Sequence, residues 1–165
     1  MLTFFSTKTG CFPMGVIYCI FPLDAGIADY LRELGVAVPT HDDPTRNPTP
    51  REVREVCNAL TDCSVELFSR PDHAWQMNIG GRRDPEQEPW TVLHVPDFNG
   101  REDDPHSIWF EKGWPCLIMR IVNGLTRKCG PLVIWPDTGE APVAVSSDES
   151  IEESLQSWEH TRDPD

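Results

Sequence analysis

Seven side chains able to bind a metal or move a proton fall within the thirteen residues from 94 to 106: His94, Asp97, Asn99, Glu102, Asp103, Asp104 and His106. Imidazole and carboxylate together hold zinc, iron or manganese, and a water on such a metal becomes a nucleophile near neutral pH. His94, Asp97 and His106, with Asp103 or Asp104, would on that basis support metal-assisted hydrolysis. The spacing points elsewhere. The histidines stand twelve residues apart across a stretch rich in Asp, Gly and Pro, which matches no zinc pattern, and Asp97-Phe98-Asn99-Gly100 departs from a calcium loop after its first positions. The segment reads first as an acidic surface loop held by Asx turns and prolines, with the metal site as the alternative.

Three other groups raise the same question more weakly. His41-Asp42-Asp43 sets an imidazole beside carboxylates, as a general base requires, but has no nucleophile in view and reads as solvent-facing loop. Cys116 follows Pro115 at a predicted helix start, where a thiolate gains from the dipole, yet Trp114 and Leu117 beside it speak for packing. Gly80-Gly81-Arg82-Arg83 is the one local basic knot; a phosphate cradle leads into a helix, whereas here Asp84-Pro85 follows, so a turn is expected. No G-x-S-x-G, G-x-x-x-x-G-K or H-E-x-x-H occurs.

The elements that must position these groups are more legible than the groups themselves. Residues 107–145 read as strand, helix, strand, turn, strand. Pro115 stands in the helix's first turn, Ile118, Ile121, Val122 and Leu125 recur at helical spacing, and Gly130-Pro131 stops it. Upstream, 16–21 is an apolar strand, and Asp24 caps a helix carrying Ile27, Leu31 and Leu34. Thr49-Pro50-Arg51-Glu52 is a capping box opening a helix through Leu60. Segments 65–69 and 74–79 form a hairpin, and 90–95 is a further strand. Adjacent strands mixed with helices imply an α+β fold: a mixed, largely antiparallel sheet of about six or seven strands with three helices packed on it. The helix at 115–129 has the length of a parallel crossover, with room for another strand between the two it joins.

At 165 residues the chain can bury one core. The expected division is a loose extension at 1–13, one α+β domain at 14–145, and an acidic tail at 146–165. In the tail Ile151, Leu155 and Trp158 share one side of a possible short helix, with Ser150 and Glu153 as its capping box; it either packs back on the domain or waits for a partner, and fraying is expected beyond Trp158. No run is long and apolar enough for a membrane span, and the opening residues lack a signal-peptide pattern. A cytoplasmic protein with reduced thiols is expected, since the six cysteines lie in strand and helix patterns and form no C-x-x-C. The Cys57 to Cys63 spacing leaves one bond open.

Charge narrows the partners. There are 14 Lys plus Arg against 27 Asp plus Glu, a formal net charge of −13, and both the body and the tail are acidic. Direct binding to a nucleic-acid backbone or an anionic membrane is disfavoured, and a basic protein is favoured. Six tryptophans supply contact area. Most sit in strands and belong to the core, whereas Trp114, at a helix entrance, and Trp158, on the acidic tail, are the candidate anchors. With Asp97, Glu102, Asp103 and Asp104 they make up the expected partner-binding set. No catalytic residue and no cofactor is expected. An exposed sheet edge would also permit a homo-oligomer, and the order of strands is not legible.

In size, class and acidity the chain resembles immunity proteins, which neutralise interbacterial toxins, many of them basic nucleases. The resemblance implies occlusion: carboxylates speed encounter with a basic cleft, and buried aromatics set the lifetime of the complex. The expected function is therefore a non-catalytic, acidic protein-binding module, with the His94/Asp97/His106 hydrolase as the alternative.

Overall fold

The structure is a computed structural model and describes residues 16–42, 44–70, 74–82, 87–96 and 101–162, the side chains of 160–162 excepted. The chain begins with β1 (Ile17–Pro22), α1 (Ala25–Glu33) and α2 (Pro50–Asn58), then β2 (Cys63–Ser69), β3 (Trp75–Gly81), β4 (Trp90–Val95) and β5 (Ile108–Gly113). It continues with α3 (Pro115–Cys129), β6 (Leu132–Pro136), β7 (Val143–Val145) and α4 (Ile151–Arg162). The strands form one seven-stranded sheet in the order β2-β3-β4-β5-β1-β6-β7.

Local chemistry sets the helix ends as the sequence implies. The Asp24 carboxylate accepts the Ile27 N–H at 2.9 Å and starts α1. At α2, Thr49 Oγ1 accepts from the Glu52 N–H and Glu52 accepts from the Thr49 N–H, the reciprocal capping box, with Pro50 at the first position. Pro115 opens α3 and Gly130, at φ 82°, closes it.

The sheet is antiparallel throughout rather than mixed. β5 and β6, joined by the α3 crossover, do run parallel, but β1 inserts between them and pairs antiparallel with both. A strand from the start of the chain thus fills the gap that the crossover leaves.

Alternation along the strands divides the sheet into two faces. Tyr18, Ile20, Met77, Ile79, Leu93, Val95, Ile108, Phe110, Leu132, Ile134, Val143 and Val145 are buried on one face and meet α2, α3 and α4 in a single cluster. α1 covers part of the other face, where Leu23, Ala28, Leu31, Val133 and Ala144 form a smaller cluster. α3 lies between α2 and α4 as well as on the sheet, so more of it is buried than an apolar stripe requires. Asn123, off that stripe, is 4% exposed and donates from Nδ2 to the Ser146 carbonyl at 3.3 Å. Close approach of α2 is possible because residue 124 is glycine: a Cβ there would stand 2.8 Å from Val56 Cγ1.

Among the described residues the helices number four, not three. The stripe of Ile151, Leu155 and Trp158 packs α4 against α3 and β7, and Ser150 and Glu153 exchange both capping-box hydrogen bonds at 3.0 and 3.2 Å. The tail's apolar residues therefore belong to the main core, and helical backbone runs on to Arg162. The five described cysteines, Cys57 and Cys63 included, are free thiols. Burial pushes the Cys57 and Cys129 thiols up to about 12, which holds them as uncharged small hydrophobes. The expected extension at 1–13 lies outside the described residues.

Candidate functional site

The acidic loop is tied to α2 by its own chain. Arg51 grips Asp103 through Nε at 2.7 Å and Nη2 at 3.2 Å, Arg54 reaches Glu102 at 2.7 Å, and Arg101 pairs with Asp104 at 3.4 Å. Backbone bonds complete the attachment: the Arg51 N–H donates to the Glu102 carbonyl and the His106 N–H to the Pro48 carbonyl, each at 3.0 Å. Side chains on successive turns of α2 point at the loop because α2 starts where its capping box dictates. Glu102, Asp103 and Asp104, expected to face a partner, each pair with an arginine of this chain and fasten the approach to β5, while the Asp103 and Asp104 side chains stay 75% and 51% exposed. Asp97 lies outside the described residues.

The histidines do not share a site with those acids. His94 is 8% exposed, stacks on Trp109 with ring centroids 5.3 Å apart, and places Nε2 3.0 Å from Glu111 Oε2. His106 stands at the end of the α2 attachment, and its Nε2 is buried without a hydrogen-bond partner. Among the described residues no three His, Cys, Asp or Glu side chains gather where they could hold a metal ion. His41 lines a hollow of about 420 Å³ beside Asp24, Asp29 and Arg32; Asp43 lies outside the described residues. Cys116 is half-buried in the first turn of α3, one turn before Arg120, whose guanidinium is bidentate on Asp62 at 2.8 and 3.0 Å. Gly80 and Gly81 end β3, and Arg82 turns back to donate from Nε to the Cys63 carbonyl at 3.0 Å, as a turn residue rather than a phosphate ligand.

Both expected aromatic anchors have moved inward. Trp158 is 1% exposed and meets Tyr18 edge to face with ring centroids 5.5 Å apart, so it is a core residue and not a surface anchor. Trp114 is half-buried as the N-cap residue of α3, its backbone N–H donating to the Trp90 carbonyl at 3.0 Å. The strand tryptophans also divide: Trp75 is buried, whereas Trp90, Trp109 and Trp135 are only partly covered. Trp135 stacks on Tyr30 at 5.5 Å and meets Phe21 edge-on at 6.0 Å, and both neighbours are exposed.

No family model, curated protein or solved structure matches this chain. The distribution of its own charges is therefore the guide to a site. On the α2 flank the cations are consumed in pairs: Arg46 with Glu52, Arg51 and Arg54 with the loop, Arg120 with Asp62, and Lys128 with Glu55 at 2.8 Å. On the α4 flank the reverse holds. Asp148, Glu152, Glu153 and Glu159 are exposed and Glu149 half-exposed, and none of them meets a cation among the described residues. Beside them runs a groove of about 530 Å³ between α4, the start of β7 and the turn after α1. Its walls are Leu34, Val36, Ala37, Pro142 and Val143, and Glu153 and Gln156 stand on the α4 side. A partly apolar trough along a helix whose carboxylates meet no described cation is what sequence reading alone missed, because its two walls lie over a hundred residues apart in the chain.

The Arg46–Glu52 pair joins the capping box to the end of α3: the two terminal guanidinium nitrogens, Nη2 and Nη1, meet the Glu52 carboxylate at 2.7 and 2.9 Å, and Nη2 also donates to the Lys128 carbonyl at 3.2 Å. The Arg46 hydrogen bond, reinforced by the Thr49 N–H against the cost of burial, holds Glu52 below its usual 4.5. A carboxylate with a lowered folded-state value stabilises the fold above the unfolded value and loses that contribution as pH falls through the folded one. Glu52→Gln is expected to cost about 1.5–3 kcal/mol at neutral pH, the usual worth of hydrogen bonds to a charged group. Urea denaturation should show the deficit shrinking as pH drops below 4.5; a deficit constant down to acid pH would mean that the charge is not what matters.

Proposed function

We propose that this chain is a non-catalytic binding module whose acidic α4 flank receives a basic partner protein. The observation that carries the reading is the segregation of charge among the described residues: carboxylates are neutralised by arginine and lysine along α2 and its loop, and meet no described cation along α4, next to a partly apolar trough. Unneutralised charge on one side steers an oppositely charged partner and orients it before contact. The trough then supplies what charge cannot, a desolvated contact that sets how long the complex lasts. Leu34, 49% exposed at the end of α1, forms part of that trough. Inhibition of a basic toxin by occlusion is the specific form of this reading, in keeping with the resemblance in size and acidity to immunity proteins.

The test is capture from the native host by the full chain, with the bound protein identified by mass spectrometry. The expected product is a strongly basic protein, released by moderate salt, because screening acts on exposed charge. Capture that moderate salt leaves intact, or a captured protein of acidic character, would refute the docking mode.

A further inference from the structure

We infer that the hollow over Gly80, on the face of β2, β3 and β4 turned away from the main core, is a seat for the guanidinium of an arginine presented by another protein. The inference stands independently of the α4 flank, which lies toward the opposite edge of the sheet. The hollow measures about 340 Å³ and lies where two rows of the ladder adjoin: Ser64, Gly80 and Trp90 in one, Glu66, Asn78 and Val92 in the other. Gly80 stands at the centre of its row, so strand backbone forms the floor.

Glycine inside a strand weakens it, and stands where the chain bulges or where another group comes close to the backbone. The two glycines that end β3 divide on this point. A Cβ at Gly81 would collide with the Glu88 side chain, so packing within the chain accounts for that residue. Gly80 has no such need: its φ is not positive, the ladder has no bulge on either side of it, and a Cβ there would stand 3.3 Å from that of Trp90, a tight but uncrowded contact. The dip left by its missing side chain is the part of the structure that the chain's own packing does not explain.

The lining selects the occupant. Trp90, half-buried, offers an aromatic face, and Glu66 is exposed and meets no cation among the described residues. Ser64 Oγ gives its proton to the Gly80 carbonyl at 3.3 Å, and Asn78 Oδ1 accepts from Gln76 Nε2 at 3.2 Å, so both oxygens act as acceptors. Arg82, the described cation next along the chain, is spent on the Cys63 carbonyl and does not line the hollow. A site of acceptors, one free carboxylate and a π face suits a cation that only donates, and repels phosphate or carboxylate. Guanidinium meets each condition, being flat, stacking on indole and carrying five N–H donors with no acceptor. Sites for free small molecules bury most of the ligand. This hollow is a dip in an open sheet face, with room to cover the end of one side chain, which places the rest of the ligand on a protein outside it.

Heteronuclear NMR on the full chain, titrated with the acetylated and amidated peptide Gly-Arg-Gly, tests this. The expected result is a saturable shift of the Trp90 indole N–H and the Gly80 amide, with millimolar affinity. The same peptide with citrulline, the neutral isostere, should bind about fivefold or more weakly. Glu66→Gln, at an exposed position, should weaken the arginine peptide about threefold or more, and Gly80→Val should abolish the response by filling the floor. Glu66→Gln serves alone if the valine variant misfolds. No saturable shift, equal binding of the citrulline peptide, or indifference to Glu66→Gln would overturn the inference, and free arginine binding as tightly as the peptide would overturn the assignment to a protein partner.

Discussion

Replacing Trp158 by alanine is expected to remove about 3–5 kcal/mol of stability, the range for deleting a buried Trp or Phe side chain. The ring is 1% exposed, packs edge to face on Tyr18 in β1, and stands with Leu155 and Ile151 on the side of α4 that meets α3 and β7. Its loss opens a cavity among α4, the sheet and α3. α4 is too short to persist alone in water, so the helix should detach from the body before the sheet unfolds. Urea denaturation followed by circular dichroism measures the loss, and the thermal midpoint should fall by on the order of 10 °C for a chain of this size. A change within about 0.5 kcal/mol, the usual cost of a surface substitution, would show that the tail is not part of the core.

Neutralising the α4 carboxylates should have the largest effect on binding. Asp148→Asn combined with Glu149→Gln, Glu152→Gln and Glu159→Gln removes four negative charges while sparing Glu153, which the capping box needs. Association with a basic partner should then slow by about 10- to 100-fold at low salt, with a much smaller change near physiological ionic strength. Glu102→Gln with Asp103→Asn removes charge already met by Arg51 and Arg54, and should leave the association rate nearly unchanged. Leu34→Ala acts on the trough, so its effect should fall on dissociation, faster by about fivefold or more if Leu34 is an anchor. Stopped-flow and surface-plasmon measurements on these three variants separate steering from contact. Equal effects of the loop and α4 substitutions would remove the basis for placing the partner on α4.

The sequence was most informative where chemistry is local. The cap at Asp24, the capping boxes at Thr49 and Ser150, and the stop at Gly130 each depend on a few consecutive residues, and all occur as their side chains require. The hairpin of β2 and β3 and the bounds of β4 follow from alternation. Side-chain roles were less legible because they depend on what lies opposite. Glu102, Asp103 and Asp104 are indistinguishable in sequence from free surface acids until α2 is placed beside them. Trp158 on a polar, acidic segment looks exposed until α4 meets Tyr18, which precedes it by most of the chain.

The amino-acid sequence by itself determined the α+β class, the ends of the helices and the strongly acidic balance, because capping, alternation and net charge are properties of neighbouring residues or of simple sums. Tertiary structure alone decided that β1 enters between β5 and β6, that β2 is the outermost strand, and that among the described residues cations pair with carboxylates along α2 and none meets those of α4. Those outcomes depend on which distant segments meet, and a side chain's charge or apolar surface is available to a partner only when no other part of the same chain has already covered it.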